Sequence, residues 1–211
     1  MVVLGGNSGE RAVSLQSGKA CIKALKKKGY NVSIFDPKFK NLNLINKKYV
    51  DVIFNALHGK DGEDGVAQSF FEYLRIPYTH SGVISSYNSM NKIISKEVFI
   101  SNKITTPKFF VIQKIAFSNN LLKKDLFSKK ISFPVVVKPT NEGSSLGVKV
   151  CKNYSSLIKE TKNLFKKYNE LLFEKYIAGQ EIQVAVINGN PVGAIELVPK
   201  DHFMIIKQSI R

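Results

Sequence analysis

The hydrophobic pattern of the first 80 residues alternates between short apolar runs and longer amphipathic stretches. The apolar runs predict strands at residues 2–5, 31–35, 51–56 and 76–79. The amphipathic stretches repeat apolar residues at spacings of three and four, which predicts helices over 13–28 and 65–75. Short strands that alternate with helices are typical of βαβ units. We therefore predict an N-terminal α/β domain with a parallel sheet.

The pattern changes in the second half of the chain. A helix is predicted over 85–102, after which Thr106-Pro107 interrupts the regular structure. Strands are predicted at 108–113, 134–138, 147–151, 171–176, 181–187 and 191–198, and a lysine-rich stretch near 120 is either helix or loop. Asn153 is suited to cap a helix over 154–168, and Asn188-Gly189 predicts a tight hairpin. These features indicate an α+β domain with an antiparallel sheet.

The change of pattern places a domain boundary near residue 90. The predicted domains are residues 1–90 and 91–198, followed by a short tail at 199–211.

The net charge of +16 raises the question of nucleic-acid binding. Nearly all of this charge comes from lysines spread along the chain, and the arginines are Arg11, Arg75 and Arg211. Base and phosphate recognition favours arginine, so we read the lysines as solvated surface residues that reflect an AT-rich genome. Nucleic acid is therefore not an expected partner, and such binding would predict a steep dependence on salt.

Other bulk features point to a cytoplasmic protein. Cys21 and Cys151 lie far apart and match no metal-ligand spacing, which suggests a reducing compartment. No run of 18 apolar residues predicts a membrane span, and the first residues lack the pattern of a signal peptide.

Three glycine-bearing loops follow predicted strands of the first domain. They cover residues 5–9, 59–65 and 80–82. In parallel sheets ligands bind beyond the carboxyl ends of the strands. We therefore expect a ligand site at these loops.

A glycine- and serine-rich loop follows a strand in the second domain. Residues 135–150 read "VVVKPTNEGSSLGVKV", so Lys138 precedes a loop that contains Gly143, Ser144 and Ser145. Such a loop exposes backbone N–H groups and hydroxyls that can surround a polyphosphate, and Lys138 adds a positive charge. The Walker pattern is absent. On this motif alone, a flexible surface hairpin is an equal alternative.

The stretch "LLFEKYIAGQEIQVAVING" offers a place for adenosine. Glu174, Lys175, Tyr176 and Ile177 end one strand, and Glu181 begins the next. Backbone groups of an extended segment can pair with the adenine edge, and an acid can accept hydrogen bonds from ribose hydroxyls. The whole arrangement resembles the ATP-grasp fold, in which nucleotide lies between two α+β subdomains.

Four motifs in order narrow the resemblance. They are "LGGNSGERAVSLQSG", "NALHGKDGEDG", "RIPYTHSGVISSYNSMNK" and "EGSSLGV". Together they resemble the D-alanine–D-alanine ligase family, and the likeness extends to about Val198. The resemblance implies ATP-dependent joining of two D-alanines through an acyl phosphate for peptidoglycan synthesis. It also implies ATP and Mg²⁺ as cofactors and a homodimer.

The resemblance also assigns site residues. It implies that Glu10 holds the ammonium of the first D-alanine, with support from Ser144, and that His58 lies near this subsite. It implies that the residues at the ATP phosphates are Lys92, Lys138, Ser144 and Ser145, and that those at adenine and ribose are Glu174, Lys175, Ile177 and Glu181.

Each role also has a plainer interpretation. Glu10 is equally suited to stabilise a helix N-terminus, His58 to form loop hydrogen bonds, and Lys92 to be solvated. His80 and His202 are interpreted as surface residues.

The C-terminal tail departs from the family pattern. After "GAIELVP" the family continues with an aromatic stretch, whereas this chain reads "KDHFMIIKQSIR". Codons for Phe203 to Ile210 can be written so that another frame encodes Tyr-Asp-Tyr-Lys-Ala-Lys-Tyr, as the family requires. We hypothesise a frameshift near Phe203. The family's metal ligands would lie in the largely absent C-terminal region, so we expect no ligase activity and poor solubility for this chain.

Two other functions stay open. One is a different ATP-grasp carboxylate–amine ligase, since the residues that select the second substrate lie in the absent region. The other is a non-catalytic nucleotide-binding module, which would bind ATP without turnover.

Overall fold

The computed structural model describes residues 1–198, which form two compact units. The first unit comprises Met1–Thr106 and Thr140–Gly143, and the second comprises Pro107–Pro139 and the described residues from Ser144 onward. The domain boundary near residue 90 stays a prediction. His202 and the frameshift hypothesis concern residues outside the described range.

The first unit contains a three-stranded parallel sheet, as the sequence predicts. Its strands are β1 (Val2–Val3), β2 (Ile34–Phe35) and β3 (Phe54–Asn55), in the order β2-β1-β3. The strands are shorter than predicted, and 76–79 contributes only a parallel bridge between Ile53 and Tyr78. Alternate side chains of the central strand are buried on opposite faces: Val2 packs with Leu4 and Ile22, and Val3 with Ile53 and Phe71.

Four helices accompany this sheet. They are α1 (Arg11–Lys27), α2 (Val66–Tyr73), α3 (Val83–Met90) and α4 (Lys92–Ser101). The first two confirm the predicted helices, and Gly29 after α1 has the left-handed φ of +87° that favours glycine beyond a helix end.

The single helix predicted over 85–102 is wrong, because Asn91 divides it into α3 and α4. Asn91 has an extended backbone, with φ −81° and ψ 107°, and its side chain accepts hydrogen bonds from the N–H groups of Ile93 and Ile94. Asparagine competes for backbone groups in this way and is favoured before a helix rather than inside it. The break makes Lys92 the first residue of α4.

The second unit contains a four-stranded antiparallel sheet. Its strands are β4 (Phe109–Gln113), β5 (Val135–Pro139), β6 (Lys149–Cys151) and β7 (Glu170–Lys175), in the order β4-β7-β5-β6. Helices α5 (Asn119–Ser128) and α6 (Tyr154–Leu164) share one core with a single face of this sheet. Asn153 caps α6 through a reciprocal pair of hydrogen bonds with Ser156, as the sequence predicts for the cap.

A separate hairpin completes the described chain. Strands β8 (Glu181–Ile187) and β9 (Asn190–Leu197) form a two-stranded sheet. Asn188 and Gly189 have φ of +51° and +78°, which is the left-handed pair of a type I′ turn and confirms the predicted hairpin. Nearly every residue of the hairpin is exposed.

Within residues 1–198, no helix combines the length and the apolar character that a bilayer span requires.

Candidate functional site

Glu10 lies at the junction of the first glycine loop and α1. Its side chain is buried, and its backbone carbonyl accepts the Ser14 N–H at 3.0 Å. A Cβ added at Gly59 would lie 2.3 Å from Glu10 Oε2, and one added at Gly143 would lie 3.1 Å from the same atom. Two glycines therefore border this carboxylate. A buried carboxylate of this kind is chemically suited to a cationic group such as an ammonium.

His58 is oriented from both ring nitrogens. Its Nδ1 lies 3.3 Å from Glu63 Oε1, and its Nε2 lies 3.0 Å from Ser17 Oγ on α1. The other Glu63 oxygen accepts the Gly59 N–H at 2.9 Å. This network fixes the imidazole in the loop that also borders Glu10.

The network shifts the protonation of both partners. The hydrogen bond to Glu63 is the main cause that raises the pKa of His58, and the charges of Glu63 and Glu10 add to it. Burial acts to raise the pKa of Glu63, but the hydrogen bonds from His58 and Gly59 hold it below its ordinary value. The pair therefore favours a charged imidazole beside a carboxylate.

Two polar groups hold the first glycine loop against the sheet. Ser14, fully buried on α1, accepts the Gly5 N–H at 2.8 Å and donates to the Ala56 carbonyl at 2.6 Å. Asp36 accepts the Gly6 N–H at 3.0 Å, and Arg11 binds both oxygens of the same carboxylate. Burial acts to raise the pKa of Asp36, but the Arg11 hydrogen bond and two backbone N–H groups hold it below its usual range.

Two cavities adjoin these loops in the first unit. One of about 490 Å³ is bordered by Gly6, Ser8 and His58, and one of about 380 Å³ by Ser17, His58 and Glu63. Both lie where β1 or β3 ends, as the sequence predicts for a parallel sheet.

Lys92 is anchored at the start of α4. Its backbone N–H donates to the Thr140 carbonyl at 3.0 Å, and its Nζ donates to the Glu142 carbonyl. It is half-buried rather than solvated. The structure therefore brings this lysine to the first residues of the glycine- and serine-rich loop.

Lys138 and Glu174 form an ion pair in the second unit. Lys138 lies opposite Leu172 in the pairing of β5 with β7, and Glu174 lies two residues further along β7. Residues in this diagonal relationship share a face of the sheet. Their neighbours Val137 and Phe173 lie in the helix-covered core, so the pair occupies the opposite face.

The loop after Lys138 has an unusual backbone. Ser144 and Ser145 both have left-handed φ, at +46° and +58°, and Gly147 has φ +74°. A Cβ added at Gly147 would lie 2.8 Å from Pro139. Non-glycine residues seldom adopt this conformation, and backbone strain of this kind is concentrated at active sites, ligand clamps and switch segments.

The remaining predicted residues lie at the end of β7 and in the extended segments that follow it. Lys175 ends β7 and donates its N–H to the Lys108 carbonyl at 3.0 Å. Ile177 and Glu181 are exposed, and Glu181 begins β8 in the separate hairpin. The structure thus pairs Lys138 with Glu174 but describes Glu181 on another sheet.

Comparison with family models decides the relationship of the chain. The model described as D-ala D-ala ligase C-terminus matches residues 98–209, which is 112 of 211 residues, and the model described as D-ala D-ala ligase N-terminus matches residues 35–81. The chain belongs to the D-alanine–D-alanine ligase family.

Curated proteins agree with this assignment. The ligase-family chain is 50% identical over 204 residues to a D-alanine–D-alanine ligase of Pelagibacter ubique (strain HTCC1062), and 41% identical over 202 residues to one of Geotalea uraniireducens (strain Rf4). Each match covers 96% of this chain, but only 66% and 63% of the two relatives. The chain thus spans just under two thirds of their length.

Solved structures confirm the predicted combination of an α/β part with an ATP-grasp α+β part. A D-alanine–D-alanine ligase from Bacillus anthracis matches with a TM-score of 0.81 and 37% identity, over 92% of this chain and 62% of that one. The same enzyme complexed with ATP matches with a TM-score of 0.79 and 34% identity, over 93% and 65% of the two chains.

Three supporting residues of this ligase-family chain were not predicted from its sequence. Glu63 orients His58, Ser17 binds the other imidazole nitrogen, and Ser14 joins the first glycine loop to β3. The signal for Glu63 was its place in "HGKDGEDG", five residues after the histidine within one loop. The serines carried no comparable signal, because their partners lie 41 and 42 residues away.

The residues described here do not supply a magnesium site. No cluster of three or more His, Cys, Asp or Glu side chains within residues 1–198 is arranged to hold a metal ion. The expected cofactor Mg²⁺ therefore does not fit the donor groups of this part of the chain.

Proposed function

We propose that this chain forms the ATP-binding and first-substrate part of a ligase that joins two D-alanines to D-alanyl-D-alanine for peptidoglycan synthesis. The family assignment and the names of the curated relatives support this reaction. Complex formation between ATP and the Bacillus anthracis enzyme supports the nucleotide. The observation that carries the proposal is the buried Glu10 carboxylate bordered by Gly59 and Gly143.

The reaction proceeds in two steps. ATP transfers its γ-phosphoryl group to a carboxylate oxygen of the first D-alanine, which gives an acyl phosphate and ADP. The amine of the second D-alanine then attacks the acyl carbon, and phosphate leaves as the amide forms with loss of a proton. Phosphorylation therefore converts the carboxylate oxygen, a poor leaving group, into phosphate, a good one.

Glu10 has the role of receiving the ammonium of the first D-alanine. Its carboxylate is a charge-assisted acceptor, and it packs so closely against Gly59 and Gly143 that a larger side chain at either position would meet it. Ser144 adds a hydrogen-bonding group for this subsite. His58, fixed by Glu63 and Ser17, lies near the same subsite. Its raised pKa favours a positively charged imidazole there.

The nucleotide is held by two groups of residues. Lys92 and Lys138 provide positive charge for the phosphates, and Ser144 and Ser145 belong to the covering loop. Binding of ATP requires Lys138 to turn from Glu174 towards phosphate oxygens, or to be shared between them. The adenine and ribose contacts are assigned to Glu174, Lys175, Ile177 and Glu181.

Several expectations of the family remain proposals for this protein. They are a homodimer, a cytoplasmic location and a requirement for Mg²⁺. Residues 1–198 offer no donor set for magnesium.

Chemical labelling of lysines tests the nucleotide site in the chain itself. The chain is treated with acetic anhydride with and without ATP, and the modification of each lysine is quantified by mass spectrometry. We expect ATP to protect Lys92 and Lys138. Lys149, exposed on β6, is the matched control and should react equally in both conditions.

The same experiment separates the alternatives. Equal labelling of Lys138 with and without ATP would reject the nucleotide site. D-alanine binding is followed by NMR of the Glu10 carboxyl carbon. Protection of the lysines by ATP, together with an unchanged Glu10 signal when D-alanine is added, would favour a nucleotide-binding module over a ligase fragment. Protection enhanced by another amino acid would favour a different carboxylate–amine ligase.

A further inference from the structure

Lys96 is an exception among the lysines of this chain. It is 6% exposed and is the one lysine among the buried side chains of residues 1–198. Its Nζ donates to Thr106 Oγ1 at 2.9 Å. Burying an amine opposes folding unless polar partners compensate, so the bias towards surface lysines does not account for this position.

Lys96 lies one helical turn after Lys92. Residues four apart in a helix lie on the same side, so both lysines extend from one side of α4. The break at Asn91 sets this register, because it starts α4 at Lys92. If α3 and α4 were one continuous helix, the Lys92 N–H would bond to a carbonyl of the preceding turn. Because Lys92 instead lies in the first turn of α4, its N–H is available to bind the Thr140 carbonyl.

Residues of α4 contact both segments of the first unit near the points where those segments end. The first unit ends at Thr106, resumes at Thr140 and ends again at Gly143. Lys96 binds Thr106, the Lys92 N–H binds the Thr140 carbonyl, and the Lys92 Nζ binds the Glu142 carbonyl. One helix with two lysines thus fastens both segments within the first unit.

We propose that Lys96 is a positioning residue for Lys92 and the 140–143 segment. By fastening Thr106 it fixes the orientation of α4, and α4 in turn places Lys92 on Thr140 and Glu142. The consequence for ATP affinity rests on the proposed function, in which Lys92 contacts the phosphates. The effect on the 140–143 segment does not depend on nucleotide.

Amide hydrogen exchange in the ligand-free chain tests the positioning role. The Lys92 N–H, bound to Thr140, reports on the 140–143 segment, and the Ile104 N–H, bound to Phe99 at 2.8 Å, reports on the segment before Thr106. We expect Lys96→Met and Thr106→Val each to accelerate exchange at both amides by about tenfold or more, the factor that corresponds to one hydrogen bond from a charged donor.

Two controls define the comparison. Thr106→Ser keeps the hydroxyl and should exchange at the original rate. Lys103→Met makes the same chemical change at an exposed lysine of the same segment and should leave the Lys92 amide unchanged. The Thr106 variants decide the question even if Lys96→Met does not fold.

The exchange rates of the Ile104 and Lys92 amides together decide whether Lys96 positions Lys92. Faster exchange at Ile104 with an unchanged Lys92 amide would overturn the proposal, because Lys96 would then stabilise only its own segment. Acceleration at both amides supports it. ATP affinity is measured in parallel and should weaken in Thr106→Val but not in Thr106→Ser. Failure of the original chain to bind ATP would reject its proposed function, while the exchange data would still judge Lys96.

Discussion

Lys138 and Glu174 form an ion pair across β5 and β7, on the sheet face opposite the helices. The two residues are 36 positions apart in sequence, and only the antiparallel pairing brings them together. Both belong to the proposed nucleotide site. The chain therefore holds Lys138, the lysine proposed to bind phosphate, in place by an internal carboxylate.

Glu174→Gln is expected to destabilise the second unit by about 1–3 kcal/mol, the cost of leaving a charged, largely buried partner without its ion pair. Lys138 should then react faster with acetic anhydride. Urea unfolding measures the stability, and mass spectrometry the labelling. The double variant Lys138→Met/Glu174→Gln is the control, because it removes both charges and should recover part of the loss. Unchanged stability and labelling in Glu174→Gln would show that the pair contributes nothing.

Gly59→Ala is expected to displace the Glu10 carboxylate without a large extra loss of stability. Gly59 has φ +67°, so alanine there should cost about 1–2 kcal/mol for the left-handed backbone. The new methyl also meets Glu10 Oε2, which can rotate away. NMR of the Glu10 carboxyl carbon should record the displacement.

Gly29→Ala provides the matched comparison for this prediction. Gly29 has φ +87° and no neighbouring atom within 4 Å of an added Cβ. Its alanine variant should lose similar stability and leave the Glu10 signal unchanged. An identical Glu10 signal in both variants would contradict the packing of Gly59 against this carboxylate.

His58→Gln should have an effect that depends on pH. The pKa of His58 is raised above its ordinary 6.5, mainly by Glu63, so the stabilisation is fully present below pH 6.5 and is lost as pH rises through the folded pKa. The pKa of Glu63 is lowered from 4.5, so its contribution is fully present above pH 4.5 and is lost as the pH falls through its lower folded pKa. The variant should therefore be most destabilised between about pH 4.5 and 6.5.

Urea unfolding at pH 5.5 and 8.5 measures this dependence. Glu63→Gln should lower the pKa of His58 in an NMR titration, because it removes the main cause of the shift. A destabilisation by His58→Gln that is equal at both pH values would contradict the ion pair.

Asn91→Ala should lower the stability of the first unit by about 1 kcal/mol, through loss of the cap that accepts the N–H groups of Ile93 and Ile94. Asn91→Ser retains a capping oxygen and should lose much less. Thermal unfolding measures both variants. Equal stability in Asn91→Ala would mean that the break between α3 and α4 does not depend on this side chain.

The exposed aliphatic side chains of the β8–β9 hairpin should limit solubility. Val184 and Ile195 are 54% and 59% exposed on a two-stranded sheet whose outer edges pair with no other strand of residues 1–198, which favours association. Replacing both with lysine should raise the saturation concentration in a precipitation assay. Ile115→Lys changes an isolated side chain that is 92% exposed and should have little effect. A similar gain from Ile115→Lys would attribute low solubility to general hydrophobicity.

The sequence by itself determined the element types, because hydrophobic periodicity records which face of a strand or helix is buried. It also determined the family, since four loop motifs occur in order along one chain. The hairpin at Asn188-Gly189 and the Asn153 cap were equally local, and both could be predicted from the residues that make them.

Only the tertiary structure decided how distant residues combine. The Lys138–Glu174 pair, the two-sided fixing of His58 and the burial of Lys96 all join residues from separate elements. The break at Asn91 could not be predicted from the local pattern either. Apolar periodicity continues across this residue, although its side chain ends one helix and caps the next. Periodicity records burial of apolar faces, whereas polar contacts depend on which backbone and side-chain groups meet after the chain has folded.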